Sequence, residues 1–262
     1  MSIINTQHPD RLRRTSLIAL QLHSIREELS RDFDSAMRRV VEIGYRAVEP
    51  AGFPGTTPKQ AACLFQELGL EVPAAHFPLP LGDSKQQILD AMHLLGAEYL
   101  VSGLGPEAFS SADEIRRSCD RFNDACLIAM DHGFKFAVHN HWWEFGAVDG
   151  CPVYHLLLER LRTDVLFEID TYWVLTAGLD PAAIVREFGR RAPLLHIKDG
   201  PGTPDAPMTA VGEGLLDFLR IAEAGRETVR WMIVELDWCA TDMMTAVKKS
   251  YVYLANHGMR SG

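Results

Sequence analysis

Val165–Asp170 (VLFEID), Leu194–Asp199 (LLHIKD) and Trp231–Asp237 (WMIVELD) decide the fold of this chain. Each is an apolar run of strand length that ends in a carboxylate or an imidazole: Asp170, His196 and Glu235. Such groups at the end of a buried strand need water, a metal or a polar partner to offset their desolvation. Three successive segments with this ending predict strand ends that converge on one site, and a divalent cation is the simplest occupant.

Working outward, short apolar runs alternate with longer amphipathic segments along the whole chain. Strands are predicted at 17–22, 46–49, 72–76, 99–102, 136–140, 165–169, 194–197 and 233–236. Helices are predicted at 29–43, 58–68, 84–95, 111–132, 153–161, 181–188, 215–224 and 241–256. Gly69, Gly96 and Gly133 stand where helices end, and Pro181 stands at a tolerated first-turn position. Eight βα repeats imply a parallel sheet that closes into a single (β/α)8 TIM barrel over residues 1–262, with residues 1–15 as a tail. At 262 residues, 47% of them hydrophobic, the chain fits one such barrel with a large core. An open doubly wound sheet is the competing fold, but no GxGxxG follows the first strand.

In such barrels the chemistry lies at the C-terminal strand ends. The candidates there are Gln21, Glu49, His76, Ser102, His139, Asp170, His196 and Glu235. Asp170, His196 and Glu235 form the strongest group. Carboxylate oxygens with imidazole, and no thiolate, suit an open catalytic site for Mn2+, Co2+, Mg2+ or Zn2+. The fourth ligand comes from His139-Asn140-His141-Trp142-Trp143-Glu144 and is either His139 or Glu144. Glu144 is also a candidate acid–base, with Glu235. His76, His141, Lys198 and Glu49 are expected to face substrate. Trp142 and its neighbour Trp143 either stack on a sugar ring or pack at the barrel mouth. Lys198 and Asp199 either bind a substrate oxygen or pair with each other, and His23 reads as a surface or capping residue.

Other classes find less support. A net charge of −9 argues against a general nucleic-acid binder. No run of 18–20 apolar residues marks a membrane span, and the N-terminus lacks the apolar core of a secretory signal. The five cysteines are scattered with no CxxC, which points to the reducing cytoplasm. There is no GxSxG and no P-loop. Val211–Gly214 (VGEG) offers glycines for a phosphate loop, but Glu213 opposes an anion there.

Seven blocks occur in an order that resembles the sugar phosphate isomerase/epimerase proteins of the xylose isomerase-like TIM barrels. They are IALQLHSIREEL from Ile18, YRAVEPAGFPG from Tyr45, FAVHNHWWEF from Phe136, FEIDTYWVLTAGLDP from Phe167, LLHIKDG from Leu194, VGEG from Val211 and MIVELD from Met232. The resemblance implies one divalent metal at the barrel mouth, held by residues of strands five to eight, and a small-molecule sugar or polyol substrate. It also implies that the chain forms homo-oligomers, as many relatives do. His139 stands where many members carry Glu, and Trp173 where several epimerases carry His. The expected reaction is isomerisation or epimerisation of a keto-sugar through a metal-stabilised enediolate. Dehydration or lysis of a keto-sugar, keto-inositol or keto-glycoside is the alternative, and a non-catalytic sugar-binding subunit the minor one. An AP endonuclease-like phosphodiesterase is disfavoured by Ser102-Gly103 and Trp173, which occupy expected ligand positions.

Overall fold

The computed structural model describes residues 16–261, so the expected tail at 1–15 lies outside the described residues. Eight parallel strands form the barrel wall. They are β1 (Leu17–Gln21), β2 (Val48–Glu49), β3 (Ala74–His76), β4 (Tyr99–Ser102), β5 (Lys135–His139), β6 (Leu166–Asp170), β7 (Leu194–Ile197) and β8 (Trp231–Val234). Ladders run without a break from β3 to β8 and on through β1 to β2. Between β2 and β3 the barrel closes only by the bridges Ala47–Glu71 and Ala51–His76. Beside the start of β1, where β2 is too short to pair, Arg260–Ser261 adds a parallel two-residue strand.

Side chains alternate between the two faces of each strand, and this divides the apolar core in two. The outer cluster, including Ile18, Leu20, Leu100, Phe136, Phe167 and Leu195, packs the strands against the helices. The inner cluster is Ala19, Ala47, Ala74, Tyr99, Val101, Ala137, Leu194, Trp231 and Ile233. Four alanines leave room in the barrel for the buried Tyr99 and Trp231 rings. Two positions further along the same strands come Gln21, Glu49, His76, His139, His196 and Glu235. The period of two therefore stacks a polar layer directly on an apolar plug.

Local signals account for most helix boundaries. The Pro58–Leu68 helix starts with a Thr57–Gln60 capping box and ends at Gly69 with φ 66°, a left-handed conformation that glycine adopts at low cost. The segment expected to be one helix at 29–43 is two helices, Arg26–Arg31 and Phe33–Ile43, divided at Asp32. Asp32 is extended, and its carboxylate accepts the Ser35 N–H to cap the second helix. The eighth strand lies two residues earlier than expected, which places Glu235 just beyond its end. The helix expected from Leu215 starts at Phe218, capped by Asp217. Among the described residues, no helix is long and apolar enough to cross a membrane.

Candidate metal centre and its cavity

The polar layer culminates in one atom each from His139, Asp170, His196 and Glu235, all within 4.8 Å of one another and all buried. Ladder register explains the meeting: Asp170 pairs with His196, and Ile233, two residues before Glu235, also pairs with His196. Asp170 is oriented by the helix that follows it. Its Oδ1 accepts the Tyr172 and Trp173 N–H groups and so caps the short helix Thr171–Thr176. Its own N–H donates to the Asn140 side chain at 2.9 Å. Oδ2 is left buried without a hydrogen bond, as are His196 Nδ1 and Glu235 Oε2. His196 Nδ1 lies 2.8 Å from Glu235 Oε2, close but not aligned as a hydrogen bond. Apart from the Lys198 ammonium these converging donor atoms lack hydrogen-bond partners, and their composition suits a shared cation.

The charges agree. Lys198 Nζ lies 3.2 Å from Asp170, 2.8 Å from Glu235 and 2.8 Å from Asp237. Burial opposes the charge on Lys198, yet these carboxylates raise its pKa well above the ordinary value. Burial likewise opposes charge on His196, and Glu168, Glu235 and Glu49 overcome it to raise that pKa well above the usual range. Burial alone would raise the Glu235 pKa, but Lys198 and His196 hold it well below the usual carboxylate range. Burial raises Asp170 to about 6 against the pull of Lys198. The layer favours positive charge, and its buried imidazole and carboxylate groups could hold a divalent cation.

Above the centre opens a cavity of about 430 Å3. His139, Lys198 and Glu235 reach it from below, and His76, His141, Trp143, Trp173, His23 and Asp237 supply much of its wall. Lys198 Nζ sits 5.0 Å over the Trp173 ring, and His141 stacks on Trp143 at 4.1 Å and 14°. Burial lowers the His76 pKa, and burial with Lys198 lowers His141 to about 4, so both rings are neutral near pH 7.

Residues 37–249 match the family model described as xylose isomerase-like TIM barrel. The chain belongs to this family. By fold it matches a sugar phosphate isomerase/epimerase from Parabacteroides distasonis ATCC 8503 with a TM-score of 0.78, at 23% identity over 96% of this chain and 97% of that one. A probable 3-DHS dehydratase, AsbF, from Bacillus anthracis gives 0.75 at 15% identity over 92% of this chain and 100% of its own. The IOLI protein, solved with a zinc atom, gives 0.67 at 16% identity over 92% and 98%. At these identities the likeness is one of fold. No curated protein matches the chain in sequence.

Within this family barrel the other predicted residues fall in distinct places. Glu49 is fully buried beneath the centre, where Gln21 Nε2 donates to its Oε1 at 2.7 Å, and it does not line the cavity. Glu144 is folded back into its loop and accepts the His141 N–H at 2.8 Å, with burial raising its carboxyl to about 8. It lies outside the converging quartet. Trp142 packs between Trp143 and Trp173, at 4.7 and 4.8 Å between ring centroids, and the cavity wall is formed by those two partners. Ser102 shares its face with Leu100 of the outer cluster, so it points away from the barrel interior.

Glu168 is the residue that sequence reasoning missed. It is fully buried inside the barrel one layer below Asp170, with its Oε2 3.2 Å from His139 Nδ1 and 3.0 Å from His196 Nε2. The signal was available: residues 168 and 170 share a face of β6, and an unpaired glutamate inside an apolar strand needs a reason. The VGEG segment has a different role from a phosphate loop. Asp199, fully buried, accepts the N–H groups of Gly200, Gly212, Gly214 and Leu216. A side chain at Gly214 would collide with Asp199, its Cβ lying 2.1 Å from Oδ1.

Proposed function

We propose that the chain is a divalent-metal-dependent isomerase or epimerase of a neutral keto-sugar or related polyol, with His139, Asp170, His196 and Glu235 as the metal ligands. The observation that carries this reading is the convergence of those four buried groups within 4.8 Å at the floor of a cavity walled by histidines and tryptophans. Mixed imidazole and carboxylate donors suit Mn2+, Co2+ or Zn2+ better than Mg2+. When bound, such an ion withdraws electrons from a carbonyl and a neighbouring hydroxyl and acidifies the proton on the carbon beside them.

The chain's own residues supply the rest. Glu235, held ionised, removes that proton. Lys198 places a positive charge beside the oxygen that gains electron density. His76 and His141, neutral on other walls of the cavity, can accept a proton and pass it on. The proton taken by Glu235 is thus returned to the substrate directly or relayed through one of these rings. Return to the neighbouring carbon isomerises the sugar, and return to the opposite face of the same carbon epimerises it. Trp143 and Trp173 offer apolar faces to the C–H side of a sugar ring, and Trp142 braces both. Glu144 fastens the loop that carries His141.

The substrate is read as unphosphorylated. Lys198 is enclosed by carboxylates, and the VGEG amides are already filled by Asp199. One observation favours a second reading, a dehydratase or lyase: His23, His76 and His141 all line the cavity with lowered pKa values, neutral bases able to take a proton from the substrate carbon and pass it to a departing hydroxyl. A cytoplasmic location fits the cysteines, none of which is in a disulfide among the described residues.

The test combines elemental analysis with proton exchange. Mn2+-loaded protein in D2O should exchange a carbon-bound proton of at least one member of a panel of unphosphorylated ketoses and keto-inositols, as read by NMR, and His196→Ala should not. An unsaturated product would select the lyase reading. Metal bound with no exchange anywhere in the panel would favour a sugar-binding barrel without catalysis.

A further inference from the structure

We infer that Glu168 is a positioning residue, a single carboxylate beneath the centre that orients both of its histidines from the side away from the cavity. The inference rests on the metal reading above. One oxygen, Glu168 Oε2, lies 3.2 Å from His139 Nδ1 and 3.0 Å from His196 Nε2. The opposite nitrogen of His196, Nδ1, faces Glu235 in the converging quartet. His139 lines the cavity above while its Nδ1 is buried below. Each ring thus presents one nitrogen upward to the quartet or cavity and one downward to the same carboxylate.

The register of β5, β6 and β7 builds this arrangement. Glu168 is the ladder partner of His139, and Asp170, two residues on, is the ladder partner of His196. One strand therefore places a ligand in the upper layer and a support in the layer beneath it. The contacts are at ion-pair distance and are not aligned as hydrogen bonds, but the buried groups have no better partner. Among the described residues Glu168 is the only carboxylate within 4.0 Å of His139 Nδ1. Glu49 Oε1 also approaches His196 Nε2, at 3.3 Å, but it accepts from Gln21 and makes no ion pair with His139.

The chemical consequence is a choice of tautomer. A neutral imidazole carries one N–H, and a carboxylate beside one ring nitrogen draws the N–H there and frees the lone pair of the other. In the metal-loaded protein, where His196 is neutral, Glu168 sets His139 as the Nδ1–H form and His196 as the Nε2–H form, opposite tautomers set by one carboxyl group. Each ring then offers a lone pair on its upper side.

Calorimetric titration of the full chain with Mn2+ and with Zn2+ tests this, alongside 15N NMR of the histidines in the diamagnetic Zn2+-loaded protein. Wild type should bind one ion per chain and show the two opposite tautomers. Glu168→Gln, which is nearly isosteric, should bind ~10–100-fold more weakly and lose the tautomer pattern. Circular dichroism checks its folding, and Glu168→Asp, which keeps the charge, should restore part of the affinity. Unchanged affinity in Glu168→Gln, or an Nε2–H tautomer at His139, overturns the inference. Two ions in wild type and one in Glu168→Gln also overturn it, because Glu168 is then itself a ligand. No ion in wild type defeats the metal reading itself, an outcome separate from any result of the variants.

Discussion

The interior of this barrel consists of two materials stacked along the same strands. The lower half is Ala19, Ala47, Ala74, Ala137, Leu194 and Ile233 around the Tyr99 and Trp231 rings. The upper half, two residues further along, is Gln21, Glu49, His139, Glu168, Asp170, His196 and Glu235, all buried. Backbone, register and burial are the same, so the difference lies wholly in the side chains. Apolar burial below stabilises the barrel. Above, the desolvation of carboxylates and imidazoles is offset in part by the buried Lys198 ammonium, and a bound cation should offset it further. Stability and chemistry are thus separated by one pleat.

Substitutions should break the two halves differently. The largest effect is expected from His196→Ala in the upper layer. It should weaken Mn2+ or Zn2+ binding by ~100-fold or more, exceeding the usual loss of an outer partner, while circular dichroism shows a retained fold. Next comes Trp231→Ala in the plug, which should cost about 3–5 kcal/mol in urea unfolding and leave the metal affinity of the folded protein nearly unchanged. If Trp231→Ala also abolished metal binding, the two layers would not be separable. Saturating metal should strengthen the wild type by about 2.7 kcal/mol at a hundredfold excess over Kd, read as a raised melting temperature that His196→Ala fails to show. The smallest effect is expected from Ile233→Val, at about 0.5–1.5 kcal/mol with metal affinity held. A melting shift in Ile233→Val larger than that of Trp231→Ala would mean that the plug is not where the stability lies.

The sequence displayed this two-layer plan unevenly. All eight strands were legible because apolar runs alternate with amphipathic segments, and the carboxylate and imidazole ends of β6, β7 and β8 stood out as polar groups closing such runs. Glu168 was hidden by the same logic, since attention to strand ends passes over a glutamate inside one. Ser102 was misleading for the converse reason: it ends β4 but on the outward face, which the position of Leu100 two residues earlier already implies. Adjacent residues in a turn escape the rule altogether. Trp143 opens the short 3-10 turn Trp143–Phe145 and reaches the cavity, while Trp142 packs behind it, and no periodicity separates the two in advance. The break at Asp32 was similarly masked, because amphipathic spacing continues across it and only the capping bond to Ser35 marks the division.

Asp199 gives the loop after β7 an internal counterpart of a bound anion. Its carboxylate occupies the seat that the amides of residues 200, 212, 214 and 216 form together. The seat is therefore a receptor whose guest is tethered by its own backbone. Asp199→Ala cuts that tether, and formate or acetate from solution should then refill the place and restore melting temperature in proportion to concentration, with no such response in wild type. An untreated protein behaves as one permanently saturated with a ligand it can never release.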